Sequence, residues 1–245
     1  MGRLTGIADI FIPRVCITCG RKLLMNESHL CLYCLADIPL THFWKMSHNP
    51  MADRFNALIC QSGNDSGESY ARACSLFFFE DDSRYRQILY DIKYKGNIAA
   101  GRYFGAMLGR RIVSSGLFGD VDIVVPVPLH WRRKWKRGYN QAEVIAGAIA
   151  AELGVPLRAD LLRRIRHTGT QTRLGIDEKK SNVQGAFRTN STAIRALHTT
   201  PRHILIVDDV FTTGSTLMAC YVALREVFPP SVRISVATLA YVGGP

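Results

Sequence analysis

Two adjacent carboxylates followed, after Val210 and Phe211, by four hydroxyl side chains within five residues stand out in residues 204–217, ILIVDDVFTTGSTL. Asp208 and Asp209 come straight after the continuous apolar run ILIV, the pattern of a buried strand in a parallel sheet. Thr212, Thr213, Gly214, Ser215 and Thr216 then form a turn that leads into an apolar-periodic segment. Such a turn offers hydroxyls and free backbone N–H groups at a helix N-terminus, which together cradle a phosphate. Gly214 lets the backbone bend and come close to a ligand. The carboxylates could accept hydrogen bonds from sugar hydroxyls or help hold a metal–diphosphate. No lysine follows the turn and G-x-x-x-x-G-K is absent, so this is not an ATPase-type P-loop. A plain helix cap would account for one hydroxyl, but not for four together with two acids.

A second chemistry lies near the start. Cys16-x-x-Cys19 and Cys31-x-x-Cys34 are two short bites, and Gly20 directly after Cys19 suits a metal knuckle. Four soft thiolates are the tetrahedral set that zinc prefers, and a closed set implies a structural metal. His29 and His42 are near, but the cysteines already fill the shell. A redox pair is the alternative, and a duplicated C-x-x-C at this range fits it poorly. So small a segment has little core of its own, and metal binding should fold it.

The third candidate is basic and aromatic. Residues 126–141 read PVPLHWRRKWKRGYNQ, with Arg132, Arg133, Lys134, Lys136 and Arg137 around Trp135, and Trp131 and Tyr139 four residues to either side of it. Guanidiniums past a strand end can neutralise a diphosphate. Cations interleaved with rings can also hold single-stranded nucleic acid. A solvated basic helix whose rings pack on the body remains open beside these. Residues 163–173, RRIRHTGTQTR, continue through residues 177–182 and read as a loop able to close over an anion, or as an ordinary exposed loop.

These motifs need elements to position them. Strands are expected at residues 74–79, 121–127, 204–207 and 234–241, and helices at 85–94, 98–113, 141–153 and 216–228. Alternation of this kind argues a mostly parallel sheet flanked by helices, with ligands beyond the C-terminal strand ends. Residues 62–69 read as a loop. The expected organisation is a small cysteine module over residues 1–49 and an α/β domain over 50–245.

The bulk numbers agree with that class. The 245 residues are 47% hydrophobic and 21% charged, ordinary for a globular chain. Lys and Arg exceed Asp and Glu by 31 to 20, a formal +11 that favours anionic partners without choosing among them. No apolar run approaches the roughly 20 residues of a membrane span. The apolar stretch at residues 7–12 is too short for a secretory segment, so a cytoplasmic protein is expected. Cys60, Cys74 and Cys220 stand apart in apolar surroundings and read as small core residues.

Residues 208–216, including Val210 and Phe211, resemble the phosphoribosyl-diphosphate (PRPP) motif of type I phosphoribosyltransferases. The resemblance implies that Asp208 and Asp209 contact the ribose 2′- and 3′-hydroxyls, and that residues 212–216 hold the 5′-phosphate. With a zinc ribbon, VPVPLHWRRKWKRGYNQAE, RRIRHTGTQTRLGIDEKKSNVQGAF and VDDVFTTGST in that order, the chain resembles the ComF family over almost its whole length. These are competence-associated, phosphoribosyltransferase-like proteins linked to DNA uptake. The resemblance implies PRPP with magnesium as ligand, single-stranded DNA as a macromolecular partner, and a DNA-uptake helicase nearby. It also implies anion or DNA contacts from the basic stretch and from Arg173 and Lys179. The family usually has Phe where Tyr139 stands, and Arg where Lys179 keeps the charge but loses the bidentate grip. A salvage or biosynthetic transferase acting on a small base or amine is the alternative, and a structural adaptor with a degenerate site a third. If transfer occurs, diphosphate is displaced at ribose C1 with magnesium neutralising the leaving group.

Overall fold

The computed structural model describes residues 13–63, 69–130, 135, 137–165 and 185–243. Its centre is a parallel sheet in the order β1–β6–β5–β2, where β1 is Ala73–Phe78, β2 Ile123–Pro126, β5 His203–Phe211 and β6 Arg233–Tyr241. Burial from both sides explains the near-continuous apolar sequences of these strands. A short antiparallel pair, β3 (Leu162–Arg164) and β4 (Phe187–Thr189), stands apart from the sheet.

The helices that flank the sheet show why their sequences stop where they do. Helix α5 (Gln141–Leu153) ends at Gly154 in the left-handed region, and α4 (Ile98–Ser115) ends likewise at Gly116. These two helices pack closely because Gly105 has no side chain: a Cβ there would lie 2.8 Å from the Ile145 carbonyl oxygen. Helix α3 (Arg86–Tyr94) buries Ile88, Leu89 and Ile92, and α7 (Ser215–Arg225) buries Leu217, Cys220, Tyr221 and Leu224. Helix α2 (Pro50–Gln61), for which no element was expected, ends just before the loop expected at residues 62–69; Asn49 caps it by accepting from Ala52 N–H, with Pro50 at the first turn. Helices α1 (Leu32–Ala36) and α6 (Ser191–Arg195) are single short turns.

Cysteines 74 and 220 are buried as expected, but Cys60 is exposed. The inward positions of α2 are Met51, Ala52, Phe55 and Ile59, and this period turns Cys60 outward.

The N-terminal segment joins the main core rather than standing off from it. Trp44 and Phe43 are buried in the same apolar cluster as the sheet. Leu40 bridges to Phe77, Thr41 N–H donates to the Leu76 carbonyl, and Phe78 N–H donates to the Pro39 carbonyl at 2.8 Å. This strap covers the outer edge of β1, which would otherwise present unpaired backbone groups.

Candidate functional site

Backbone hydrogen bonding explains why the acidic pair lies beside an opening. Strand β5 pairs with β6 as far as Phe211 opposite Tyr241, but with β2 only as far as Val207 opposite Pro126. The last rung on that side is Val127 N–H to the Val207 carbonyl, 2.8 Å. Pro126 and Pro128 lie on the alternate positions, which face the outer edge of β2, where Val124 N–H donates to the Pro156 carbonyl. Residues 208–211 therefore extend past the end of β2, at the carboxyl edge of the sheet where α/β proteins bind ligands. The acids lie within the strand, not after it.

Alternation along β5 separates the two carboxylates. Asp209 is buried and pairs with Lys93 of α3, Nζ to Oδ2 3.2 Å. Asp208 is half-buried and accepts from the Asp209 N–H at 2.8 Å. Burial, then the charge of Asp209, pushes the Asp208 carboxyl up to about 7, against the opposing pull of Lys93 and Arg164. Burial and then the same Asp208 charge hold the Cys220 thiol well above its ordinary range.

The turn after β5 is shaped by Gly214, at φ 79° directly before α7. Thr213 Oγ1 and Ser215 Oγ lie 2.9 Å apart, and Ser215 N–H points at the Thr213 hydroxyl at 3.4 Å. A Cβ on Gly214 would sit 2.8 Å from Phe211 Cζ and 2.9 Å from Leu58 Cδ1. Gly214→Ala is therefore expected to cost about 1–3 kcal/mol from strain and overpacking. A thermal melt of the variant checks this, and an unchanged midpoint would refute the account of the turn.

The basic stretch is only partly visible. Trp131, Arg132, Arg133 and Lys136 lie outside the described residues, as do Arg173 and Lys179. Trp135 is 89% exposed. Arg137 places its guanidinium 5.2 Å from the centroid of the Tyr94 ring, on α3. Tyr139 is half-buried and its hydroxyl donates to the Ile92 carbonyl, which ties the stretch to α3. Asn140 fixes the other side by donating to the Val127 carbonyl at 3.0 Å.

Lys93 was not expected at the site, and Arg164 was expected only as part of the basic loop 163–173, whose first residues instead belong to β3. Lys93 is a lone lysine on an amphipathic helix, and Arg164 belongs to a three-residue strand. No local motif singles out Lys93.

At the other end of the chain the four cysteine sulfurs all lie within 4.8 Å of one another, and those of Cys19 and Cys31 are 3.7 Å apart. Tetrahedral bonds of about 2.3 Å imply a sulfur–sulfur edge of about 3.8 Å, so the arrangement fits a thiolate-bound metal. It is too open for a disulfide, whose sulfurs are about 2.0 Å apart. The first knuckle closes through Gly20 N–H to the Cys16 carbonyl and Cys16 N–H to the Arg21 carbonyl, 2.9 and 2.8 Å. The second is held by Glu27, whose carboxylate accepts from Leu24 N–H and Leu32 N–H at 2.7 and 2.8 Å. Burial disfavours a Cys16 thiolate, but N–H groups of Cys19, Cys31 and Thr18 outweigh it and bring the thiol to about 6. Burial, the neighbouring cysteines and the Cys16 charge push Cys34 upward. A dication bound among the four sulfurs would offset the burial cost of its thiolate ligands. His29 instead packs its ring on Tyr103, centroids 5.2 Å apart.

The family model of the phosphoribosyl transferase domain matches residues 140–243, the part that carries β5, the hydroxyl turn and β6. Competence protein F of Haemophilus influenzae is 34% identical over 113 residues, 46% of this chain and 48% of that protein. The DNA utilization protein YhgH of Salmonella typhi is 40% identical over 96 residues, and that of Escherichia coli K12 is 38% identical over 96. Each of the latter matches covers 39% of this chain and 40% of the relative. The chain thus matches about half the length of these relatives or less. Among the described residues no helix is long and apolar enough to cross a membrane.

Proposed function

We propose that this chain, which belongs to the ComF family of phosphoribosyltransferase-like proteins, binds PRPP at the end of β5 and acts on single-stranded DNA during DNA uptake. The observation that carries the PRPP half is the acidic pair directly before the Gly214 turn, at the open carboxyl edge of the sheet. Asp208 and Asp209 would accept hydrogen bonds from the ribose hydroxyls, and the N–H and hydroxyl groups of Thr212, Thr213, Ser215 and Thr216 would hold the 5′-phosphate. Lys93 keeps Asp209 oriented and compensates its charge. Magnesium, as counter-ion of the diphosphate, would supply neutralisation of the leaving group. The DNA half rests on the names of the relatives, the +11 charge and the basic aromatic stretch. A DNA-uptake helicase is the protein partner that this reading implies. The cysteine cluster is assigned as a structural zinc site over residues 1–49, on the donor set and its spacing.

PRPP with magnesium is expected to raise the melting temperature by binding only the native state. The shift is read for each variant against its own ligand-free melt. Asp208→Asn together with Asp209→Asn should remove most of it, since each hydrogen bond to a charged acceptor is worth about 1.5–3 kcal/mol. A PRPP response that survives in the double variant would overturn the site.

A further inference from the structure

Helix α3 carries, outside its buried face, two rings that no motif marked. Tyr90 and Tyr94 are 49% and 63% exposed and their centroids are 5.1 Å apart, one helical turn along. Each has a cation over it: Lys95 Nζ is 5.9 Å from the Tyr90 centroid and the Arg137 guanidinium 5.2 Å from that of Tyr94. Trp135, almost fully exposed, is two residues from Arg137. Adjacent exposed rings with cations beside them offer a face on which a planar, anionic ligand can stack.

The same helix forms one wall of a cleft of about 770 Å3 against the cysteine module. Its lining includes Arg14, Arg84, Arg86 and Lys95; Lys95 pairs with Asp91 at 3.0 Å and Arg84 with Asp37, and Arg14 and Arg86 keep the lining positive. Rings flanked by cations, continuing into a cationic cleft, match a strand whose bases can be splayed out while its phosphates follow the positive wall. A duplex buries its bases and offers no faces to the rings, and an acidic peptide has no use for them.

We propose that the Tyr90–Tyr94 strip of α3, with Arg137, Trp135 and the adjoining cleft, is the platform on which single-stranded DNA stacks. This deepens the DNA half of the proposed function and rests on it. Tyr139, tied to the Ile92 carbonyl, serves to hold the basic stretch against the strip.

Fluorescence anisotropy with a labelled 30-nucleotide oligo-dT strand at low salt tests this. Tyr90→Ala with Tyr94→Ala should weaken binding about 10- to 100-fold, the loss expected when bases lose their stacking partners. Tyr90→Phe with Tyr94→Phe keeps the rings and should keep the affinity. Melting temperatures of both variants should match the wild type, because the rings are exposed. Equal binding by the alanine variant and the wild type would overturn the strip while leaving DNA binding intact. Equal loss in the phenylalanine and alanine variants would overturn stacking as its basis. Absence of binding by the wild type would remove the DNA reading and the strip together.

Discussion

Cys31→Ser is expected to lose the bound metal and to unfold the cysteine module while the parallel sheet stays folded. Two sulfurs of the cluster are already at the edge length of a tetrahedral thiolate site, so each cysteine contributes one corner. Structural zinc sites carry about 10–16 kcal/mol of apparent binding energy in isolated fingers, far more than this segment's own contacts can replace. Three ligands and a hydroxyl would not retain it. The damage should have a limit set by packing. Residues up to Asp37 are tied to the body by Tyr85 OH donating to the Cys34 carbonyl at 2.9 Å and by the exposed Arg84–Asp37 pair. Beyond them, Phe43 and Trp44 are in the main core and the strap is bonded to β1. Hydrogen exchange should therefore lose protection over residues 14–37 and keep it in β1, β5 and β6. Elemental analysis should give one zinc per wild-type chain and none in the variant. Cys60→Ser, exposed on α2 and outside the cluster, should change neither. Wild-type protein prepared without chelator but free of zinc would refute the assignment, as would protected module amides in a metal-free variant.

Where local chemistry determines structure, the sequence was a good guide. Helix α5 was expected at Gln141–Leu153 and is found there, because Gly154 takes the left-handed conformation that ends it. The cysteine spacing led directly to a four-sulfur cluster, since two short bites need only one metal to converge on. Helix α2 was legible in principle: Asn49, Pro50 and the inward period of Met51, Phe55 and Ile59 are a start signal and a face. Strand β5 runs on to Phe211, beyond the apolar run, because pairing with β6 continues past the residues that look buried. Lys93 could not have been chosen, as its role depends on how α3 crosses β5, which no spacing encodes. The same holds for Tyr90 and Tyr94, ordinary residues of an amphipathic helix until Arg137 is brought over one of them.

The acidic pair leads to an expectation opposite to the usual one for a site residue: Asp208→Asn should stabilise the ligand-free protein above neutral pH. The Asp208 carboxyl rises from 3.8 to about 7 in the folded state. Its causes are burial and the Asp209 carboxylate, only partly offset by the Asp209 N–H and by the Lys93 and Arg164 charges. Between those values the folded chain holds a proton that the unfolded chain releases. Stability from this group is therefore full below about pH 4, falls as pH rises, and is lost above about pH 7. Asparagine is neutral throughout and keeps an oxygen that can accept from the Asp209 N–H. The variant should melt at about the wild-type temperature at pH 4 and clearly higher at pH 8, with a flatter profile between. Its response to PRPP should weaken over the same range, because a neutral acceptor replaces a charged one. The site thus holds a carboxylate that folding alone would not favour, and the cation that offsets part of it, Lys93, should matter in the opposite sense. Lys93→Met should lower the pH 8 melting temperature by leaving Asp209 buried beside Asp208 without its partner. Parallel wild-type and Asp208→Asn melting profiles from pH 4 to pH 8 would show that Asp208 is not held in the protonated form by its surroundings.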